Sequence, residues 1–593
     1  MPSLTTKDFQ IHIAEQFIES LSEPANNTYY MFVGRPIPWN NDNNPPEPEH
    51  TVSELSYAAY DDMVFGKIVT NNDIKLMGRR YDWESGTVYT AYDDKAVLAN
   101  TNYFVCVNAN TSYHVFKCLG NSKASPSTVA PAFESTSADD EFYQTSDGYQ
   151  WKYLYTIDST TFNRFATPDY VPYVPNAAVS ANAIPGAIDT IVVDNAGTRF
   201  NSYANGYFVA VNVNGDPLIH TIEATSSSNT DFYKNSSIKI VDGKGAGQQR
   251  KVTEYIVSGG QKNVVVDAAW SNVPDNTSKY EIMPNVEIEG DGFGAQARAI
   301  INPSSNTIQY IEITSRGASY SWATATVQAN TGIISSNSAI IANNAVLRVI
   351  IGPAEGHGGN IPYELGMNKV GLAVSFANTE SGTIPAVNKF RTVGLIRDPL
   401  FDNVSLTLTD VDGNFVDGEV VISETGAEGI VTAYDEIGAV LKLTDVRSLF
   451  TVTESLTGVS SNATAQISGT VISGKTKNFN TFDQRYRFDV SVAGNVNFIQ
   501  GEIASQETSS ANGYVHEANA TFVALTNTRG VFNASDIDQE VYLTAPSGAV
   551  ANVVAIYKPD IIKSSGKILY IENTQPIQRS NTSTETIKLV IGF

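Results

Sequence analysis

The sequence predicts a mainly β, multi-domain fold: a β-sandwich core, inserted β-repeat modules and one N-terminal helix. Three observations carry that expectation. Among 593 residues there are 29 tyrosines and 26 phenylalanines, with valine and threonine also frequent, and these residues suit a pleated sheet. Helical spacing of apolar residues occurs in one stretch only. Two pairs of internal repeats follow the rhythm of strands and turns.

The helix is expected over residues 5–22. Phe9, Ile13, Phe17 and Leu21 recur every four residues as one apolar stripe, Thr5 or Thr6 can cap the start, and Pro24 ends it. From Tyr29 to about Val174 the chain reads as strands between polar turns. Tyr103–Val107 is one such strand, and Tyr149–Tyr155 alternates aromatic and polar residues as a half-buried strand should. Asn40 to Pro48, rich in asparagine and proline, is a loop, as is the small, polar stretch from Asn121 to Asp140.

The repeats come next. Ile188-x-x-Ile191-x-Val193-x-x-x-Gly197-x-x-Phe200 recurs with identical spacing as Ile308-x-x-Ile311-x-Ile313-x-x-x-Gly317-x-x-Tyr320. The alternation is a strand, the glycine a turn, and the aromatic packs behind it. Further on, Phe415-x-x-Gly418-Glu419 recurs as Phe498-x-x-Gly501-Glu502, and Leu443–Phe450 as Leu525–Phe532. These are inserted β-modules. The expected organisation is a core in three parts, 1–185, 346–401 and 557–593, interrupted by modules at 186–345 and 402–556.

Composition narrows the function. The formal net charge is −24, with no basic block to neutralise a phosphate backbone, so no nucleic-acid partner is expected. No apolar run is long enough to span a membrane, and no basic stretch followed by an apolar one marks a secretory signal. Assembly in a cytoplasm is expected. Cys106 and Cys118 can pair, but with so few cysteines two buried thiols are favoured.

Outside the repeats a series of motifs runs in order. They are Phe32-Val-Gly34-Arg35-Pro-Ile-Pro38-Trp39, Arg79-Arg80-Tyr-Asp-Trp83, Phe104–Asn108, Val115–Leu119 and Asp147-Gly148-Tyr-Gln-Trp151-Lys-Tyr-Leu-Tyr155. Asn388-Lys-Phe390-Arg391, Gly394–Pro399 and Ser565-Gly566-Lys-Ile-Leu-Tyr570-Ile-Glu572-Asn573 complete it. The series resembles the gene-eight baseplate wedge proteins of T-even-like contractile-tailed phages, over roughly 270 residues in three blocks, the size of one subunit. The resemblance implies a structural virion protein, a homodimer within each wedge of a six-fold baseplate, with other wedge proteins as partners. It implies that the subunit holds the wedge while the baseplate changes shape at infection. The region Gly352–Gly359 with Tyr363–Gly366 has no counterpart in the series. Independently of the family, Gly34 lets a strand leave its sheet, Pro36 and Pro38 fix an extended exit, and Trp39 is an apolar anchor. For Arg35, Arg79 and Arg80, hydrogen bonds to loop carbonyls are favoured over contact with an acidic neighbour.

The search for chemistry predicts no catalytic, cofactor or metal site. The histidines are His12, His50, His114, His220, His357 and His516, no two within ten residues. Gly356-His-Gly-Gly359 is faintly like an esterase oxyanion loop, but without a nucleophile elbow it is a glycine turn. Asp242–Lys251 lacks the ending of a phosphate loop and reads as a hairpin turning at Gly245 and Gly247. Asp410-x-Asp412-Gly413-Asn414 has its glycine misplaced for a calcium loop and reads as a hairpin turn. The acids Asp61-Asp62, Asp93-Asp94 and Asp139-Asp140-Glu141 read as solvated turns. Three classes remain: a baseplate subunit, a receptor- or glycan-binding fibre component, and a polysaccharide depolymerase, in that order.

Overall fold

The computed structural model describes all residues except 1–4, 23–26, 134–142, 201–202, 303, 328–331, 335–337, 341–342, 378–387, 400–403, 417–418, 448–449, 469–480, 493, 534, 536–539 and 580–583. Strands take 49% of the chain and helices 10%, so the protein is mainly β. Asp139-Asp140-Glu141, Pro24 and Gly418 lie outside the described residues. The chain forms two compact units, residues 1–11 with 77–368 and residues 12–76 with 369–593.

In the first unit, Phe104–Asn108, Ser112–Asn121, Tyr149–Asp158 and Tyr143–Gln144 form a sheet in that order. Tyr149–Asp158 is not half-buried as its alternation predicts. Lys152 and Leu154, on the nominally polar face, are as buried as Trp151 and Tyr153. Both faces are covered, so period-two patterning understates the burial.

The first repeat pair builds a module with an internal two-fold logic. Ile188–Thr198 pairs with Asn343–Ile351, Thr307–Ala318 pairs with Phe293–Asn302, and each ladder carries two register shifts. Gly197 and Gly317 have φ of +59° and +62°, which glycine adopts without a Cβ clash. The chain then turns so that the backbone of each following aromatic reaches the other repeat. Phe200 N–H donates to the Asn306 carbonyl at 2.9 Å and Tyr320 N–H to the Gly186 carbonyl at 3.0 Å. Each acceptor stands two residues before the partner repeat begins. Ile188, Ile191, Phe200, Ile308 and Tyr320 then share one core. Between the repeats, six strands from Ala204–Ala210 to Lys279–Gly290 curl until the last pairs with the first. Their core holds Phe208, Tyr255, Trp270 and Tyr280. The hairpin expected at Asp242–Lys251 joins Ser236–Asp242 to Gln249–Ser258, with Gly245 and Gly247 at positive φ. Asn343–Ile351 runs across residue 345, so this module's ladder continues past the limit expected from sequence.

In the second unit the host sheet has the order Thr481–Asp483, Met63–Ile68, Tyr29–Gly34, Asn388–Arg397, Lys567–Arg579. Tyr30, Phe32, Tyr60, Ile396 and Phe482 pack on it. The second repeat pair gives two closed six-stranded barrels, from Val404–Asp412 to Thr464–Ile467 and from Tyr486–Val492 to Val550–Tyr557. Both have the order first, fourth, third, second, fifth, sixth. The repeated Gly-Glu has a physical reason. Glu419 accepts from Val416 N–H at 2.7 Å and from Ser460 and Ser461 N–H at 3.0 and 2.8 Å. Glu502 accepts from Ile499 N–H at 2.7 Å and Ser547 N–H at 3.0 Å. Each carboxylate thus ties the turn before the second strand to the last hairpin. Burial opposes ionisation, but these hydrogen bonds outweigh it and hold both carboxyls below the usual range.

Three expectations are corrected in this unit and its helix. The helix spans Lys7–Ser22 with Thr6 capping Phe9 N–H at 3.3 Å, but its buried positions are Ile11 and Ala14, while Phe9 is exposed. A small alanine permits closer approach than the bulkier stripe does. Asp412-Gly413 is a turn but not a hairpin, because Val404–Asp412 pairs with Val440–Arg447 and Thr464–Ile467 and not with the strand that follows it. In the last strand, Glu585–Gly592, the alternation of Ile587, Leu589 and Ile591 with Lys588 and Val590 predicts an internal strand. Instead it pairs with Lys369–Phe376 alone and forms a sheet edge, where only Leu589 is buried.

Candidate functional site

Motif residues far apart in sequence meet at one edge of the host sheet. Tyr29–Gly34 loses register at Val33/Gly34, and a Cβ on Gly34 would stand 2.6 Å from the Asp62 carbonyl. Arg35 follows at φ +54°, turning the chain out of the sheet. Its N–H donates to the Asp62 carbonyl and its Nη1 to the Asp62 carboxylate, both at 2.7 Å. Its guanidinium lies 3.9 Å over the ring of Trp39. Burial pushes the Asp62 carboxyl up, and the Arg35 charge only partly offsets it.

From there residues 40–48 form a strap. Arg391, whose side chain is only 5% exposed, grips Asp42 through Nε and Nη2, each at 2.8 Å, and donates from Nη1 to the Pro36 carbonyl at 2.7 Å. Asp42 also accepts from Trp39 N–H at 2.8 Å, and the Arg391 hydrogen bond holds its carboxyl below the usual range. The strap then crosses Lys567–Arg579, the edge strand of the sheet. Trp39 Nε1 donates to the Thr574 carbonyl at 3.3 Å, Asn573 Nδ2 to the Pro46 carbonyl at 2.9 Å, and Gln575 Nε2 to the Asn43 carbonyl at 3.1 Å. An exposed strand edge invites pairing with another chain, and a proline-rich strap over it blocks that. Around this knot, Phe390 is buried opposite Ile577, Pro38 is exposed, and Tyr570 donates to Glu572 at 2.7 Å. Gly566, at φ +71°, makes the turn into the edge strand. Arg391→Ala is expected to release the strap. Proteinase K should then cut between residues 36 and 48 at least tenfold faster than in the native protein, and an unchanged rate would sink the strap reading.

The other motif residues lie in the first unit, around Asp147. Its carboxylate accepts from Thr128 N–H at 2.8 Å, Val129 N–H at 3.0 Å and Thr145 Oγ1 at 2.5 Å. Burial pushes this carboxyl up, yet those bonds prevail and set it at about 2. Ser127 Oγ donates to it at 3.1 Å and accepts from Trp83 Nε1 at 3.2 Å. Gly148 takes φ +87° in the adjoining turn, and the buried Trp151 stacks on Tyr149 at 5.4 Å. Arg80 donates to the Thr167 carbonyl at 3.0 Å, as expected, and also to Asp82 at 2.9 Å. Arg79 is exposed, with its guanidinium 5.5 Å over Tyr170. The three arginines therefore divide: Arg35 takes an acidic partner, Arg80 takes both a loop carbonyl and an acidic partner, and Arg79 lies over a tyrosine ring.

A third assembly was not read from the sequence: a buried charge cluster, also in the first unit. Lys117, fully buried in Ser112–Asn121, donates to Glu364 at 2.7 Å and to His357 Nδ1 at 2.9 Å, and lies 4.0 Å over the ring of Tyr92. His357 Nε2 contacts the Asp189 carboxylate, which is itself 3.7 Å from Arg316 Nη1. Glu364 accepts from Gly358 N–H at 2.5 Å. Burial pushes the Glu364 carboxyl up, but Lys117 and His357 outweigh it and bring it to about 2. The segment 356–359 is thus the loop that seats His357 inside the protein. The visible signal was a lysine within the apolar run Val115-Phe-Lys-Cys-Leu119, a position that needs a buried carboxylate.

Two acidic pairs also depart from the solvated reading. Asp62 pairs with Arg35, Asp61 with Arg529 and Lys563 at 2.9 and 2.5 Å, and Asp93 with Arg348 at 2.5 Å. Cys106 and Cys118 are both free and buried, and burial pushes the Cys106 thiol up to about 12. Among the described residues no group of three or more His, Cys, Asp or Glu side chains is placed to hold a metal ion. Also among them, no helix is long and apolar enough to cross a membrane. No protein-family model matches this chain, and no curated protein matches it well enough to count as a relative.

Proposed function

We propose that the protein is a structural subunit of a phage tail baseplate wedge, assembled in the host cytoplasm and retained in the virion. It would act as a homodimer bound to other wedge proteins and hold the wedge through the rearrangement that triggers sheath contraction. The observation that carries this reading is the convergence of the family-like residues Gly34, Arg35, Trp39, Arg391 and Asn573 on the strapped edge. Residues from the beginning, middle and end of the chain are spent there on controlling which surface can pair with another chain. That is a concern of assembly, and not of turnover. The two barrels and the 188–351 module then offer outer surfaces for neighbours, at roughly 1,200–2,000 Å² for each specific contact. The test mixes purified subunit with the other wedge proteins and with cell-wall polysaccharide. Co-sedimentation with wedge proteins as a dimer is expected. A stable trimer without wedge binding would favour the fibre reading, and release of oligosaccharide would favour the depolymerase.

A further inference from the structure

One turn of the 188–351 module displays a tryptophan at the head of a row of hydroxyl and carboxylate groups. We propose that this face binds an uncharged glycan, with a pyranose ring stacked on Trp322. The inference does not depend on the functional reading above and involves no cleavage.

Strand pairing builds the row. Lys279–Gly290 pairs with Ala323–Val327, which sets Glu287 opposite Thr326 and Glu289 opposite Thr324. All four are exposed, while Val286 and Ala325 turn to the core. Gly290 and Ala323 make the last rung, and the alternation leads on to Asp291 and Trp322, both exposed. Trp322 is 55% exposed, and its backbone is fixed from two sides. The Asp291 carboxylate accepts from Ser321 N–H at 2.9 Å, from Trp322 N–H at 3.1 Å and from Ser321 Oγ. Tyr320 packs so near that a Cβ on Gly290 would stand 2.8 Å from its ring. The indole is thus displayed on a rigid turn. Phe293, 68% exposed, adds a second aromatic surface to the same turn.

The row selects its occupant. An apolar protein surface laid over it would strip water from carboxylates and hydroxyls and return nothing. A basic peptide would answer the carboxylates, but ammonium and guanidinium groups only donate, so it offers the threonine hydroxyls no acceptor. A pyranose offers both kinds of contact. Its C–H face is apolar and lies flat on an indole, and its rim of hydroxyls donates to carboxylates and accepts from threonines. Glu287, Glu289 and Asp291 repel carboxylated, sulfated and phosphorylated sugars, so the glycan is neutral. From Trp322 to Thr326 the row runs about 13 Å, at about 3.3 Å per residue, which is longer than one sugar ring. An oligosaccharide therefore fits it better than a monosaccharide.

The test uses the full chain with its five tryptophans replaced by 5-fluorotryptophan, so that Trp322 is one ¹⁹F resonance of five, assigned by its loss in Trp322→Ala. Cellohexaose, maltohexaose and chitohexaose are titrated to about 10 mM, beside hexagalacturonate and hexalysine as charged controls. At least one neutral sugar should shift the Trp322 resonance saturably and leave the other four in place. By calorimetry, Trp322→Ala should weaken that sugar at least tenfold, and Thr324→Val with Thr326→Val at least threefold. Unmoved resonances from the remaining tryptophans show that each variant is folded. The proposal is overturned if no neutral sugar shifts the Trp322 resonance, if either control binds as tightly as the best neutral sugar, or if either variant keeps full affinity. A Trp322 resonance that moves with protein concentration alone marks a contact between copies and overturns it too. Should Trp322→Ala not fold, the native titration and the threonine variant decide.

Discussion

Replacing Arg485 by methionine is expected to cost about 3–5 kcal/mol, because it strands a carboxylate in the protein interior. Asp483, at the end of the outer host strand, is 1% exposed and receives Arg485 Nε at 2.9 Å and Nη2 at 2.8 Å. The same guanidinium donates to Glu517 at 3.0 Å, on the second barrel. Gln484, between the two, exchanges hydrogen bonds with Ile561 at 2.9 and 3.0 Å. The pair is therefore the rivet between host sheet and barrel, and losing it should loosen both sides together. The chain is multi-domain, so local stability is best read by denaturant-dependent amide exchange across 481–490 and 512–529. The double variant Arg485→Met, Asp483→Asn should recover much of the loss, since the stranded charge is gone. Undiminished protection in the single variant would refute the rivet.

Acid is expected to destabilise the second barrel from pH 6.5 downward, through His516. Complete burial, and then the nearby Arg485 charge, hold this imidazole down to about 3 from an ordinary value of 6.5. Between those values the unfolded chain binds the proton and the folded chain does not. Stability is therefore whole above pH 6.5 and is lost as pH falls toward 3. At 1.36 kcal/mol per unit the loss is on the order of 5 kcal/mol at its limit. His220 adds a smaller effect of the same sign in the first unit, since burial lowers it to about 4 and its Nε2 accepts from Trp270 at 3.0 Å. Urea titrations at pH 7, 5.5 and 4, read by exchange at Val523 and Leu525, should show the decline. His516→Gln should flatten it, and an equal slope in that variant would place the acid sensitivity elsewhere.

How much of this was legible depended on distance along the chain. The repeat Ile188…Phe200 and its copy were readable because strand alternation, a positive-φ glycine and a packed aromatic are all local demands. The paired Gly-Glu of the barrels was readable for the same reason, although the hairpin that each glutamate holds lies some forty residues away. The strap was not. Asn40–Pro48 has the composition of an idle loop, and only the fold brings Arg391 to Asp42. His357 was dismissed as part of a glycine turn because Asp189 and Lys117 are remote from it, and no local pattern encodes their meeting. The Asp61-Asp62 pair was misread since the cations that neutralise it come from Arg35, Arg529 and Lys563.

The order of strands in the host sheet also sets a timetable for synthesis. Tyr29–Gly34 lies between Met63–Ile68 and Asn388–Arg397, and the latter waits in turn for Lys567–Arg579. At translation rates of about 5–20 residues per second, the first hairpin waits tens of seconds for Asn388–Arg397 on one side and longer for Thr481–Asp483 on the other. The barrels need only neighbouring strands, and each can close as soon as it leaves the ribosome. The 188–351 module is intermediate, since Gly186 must hold its carbonyl ready until Tyr320 arrives. The newborn chain thus resembles finished beads on an unfinished string, and its most vulnerable surface, the unsealed first hairpin, waits until most of the chain has been made.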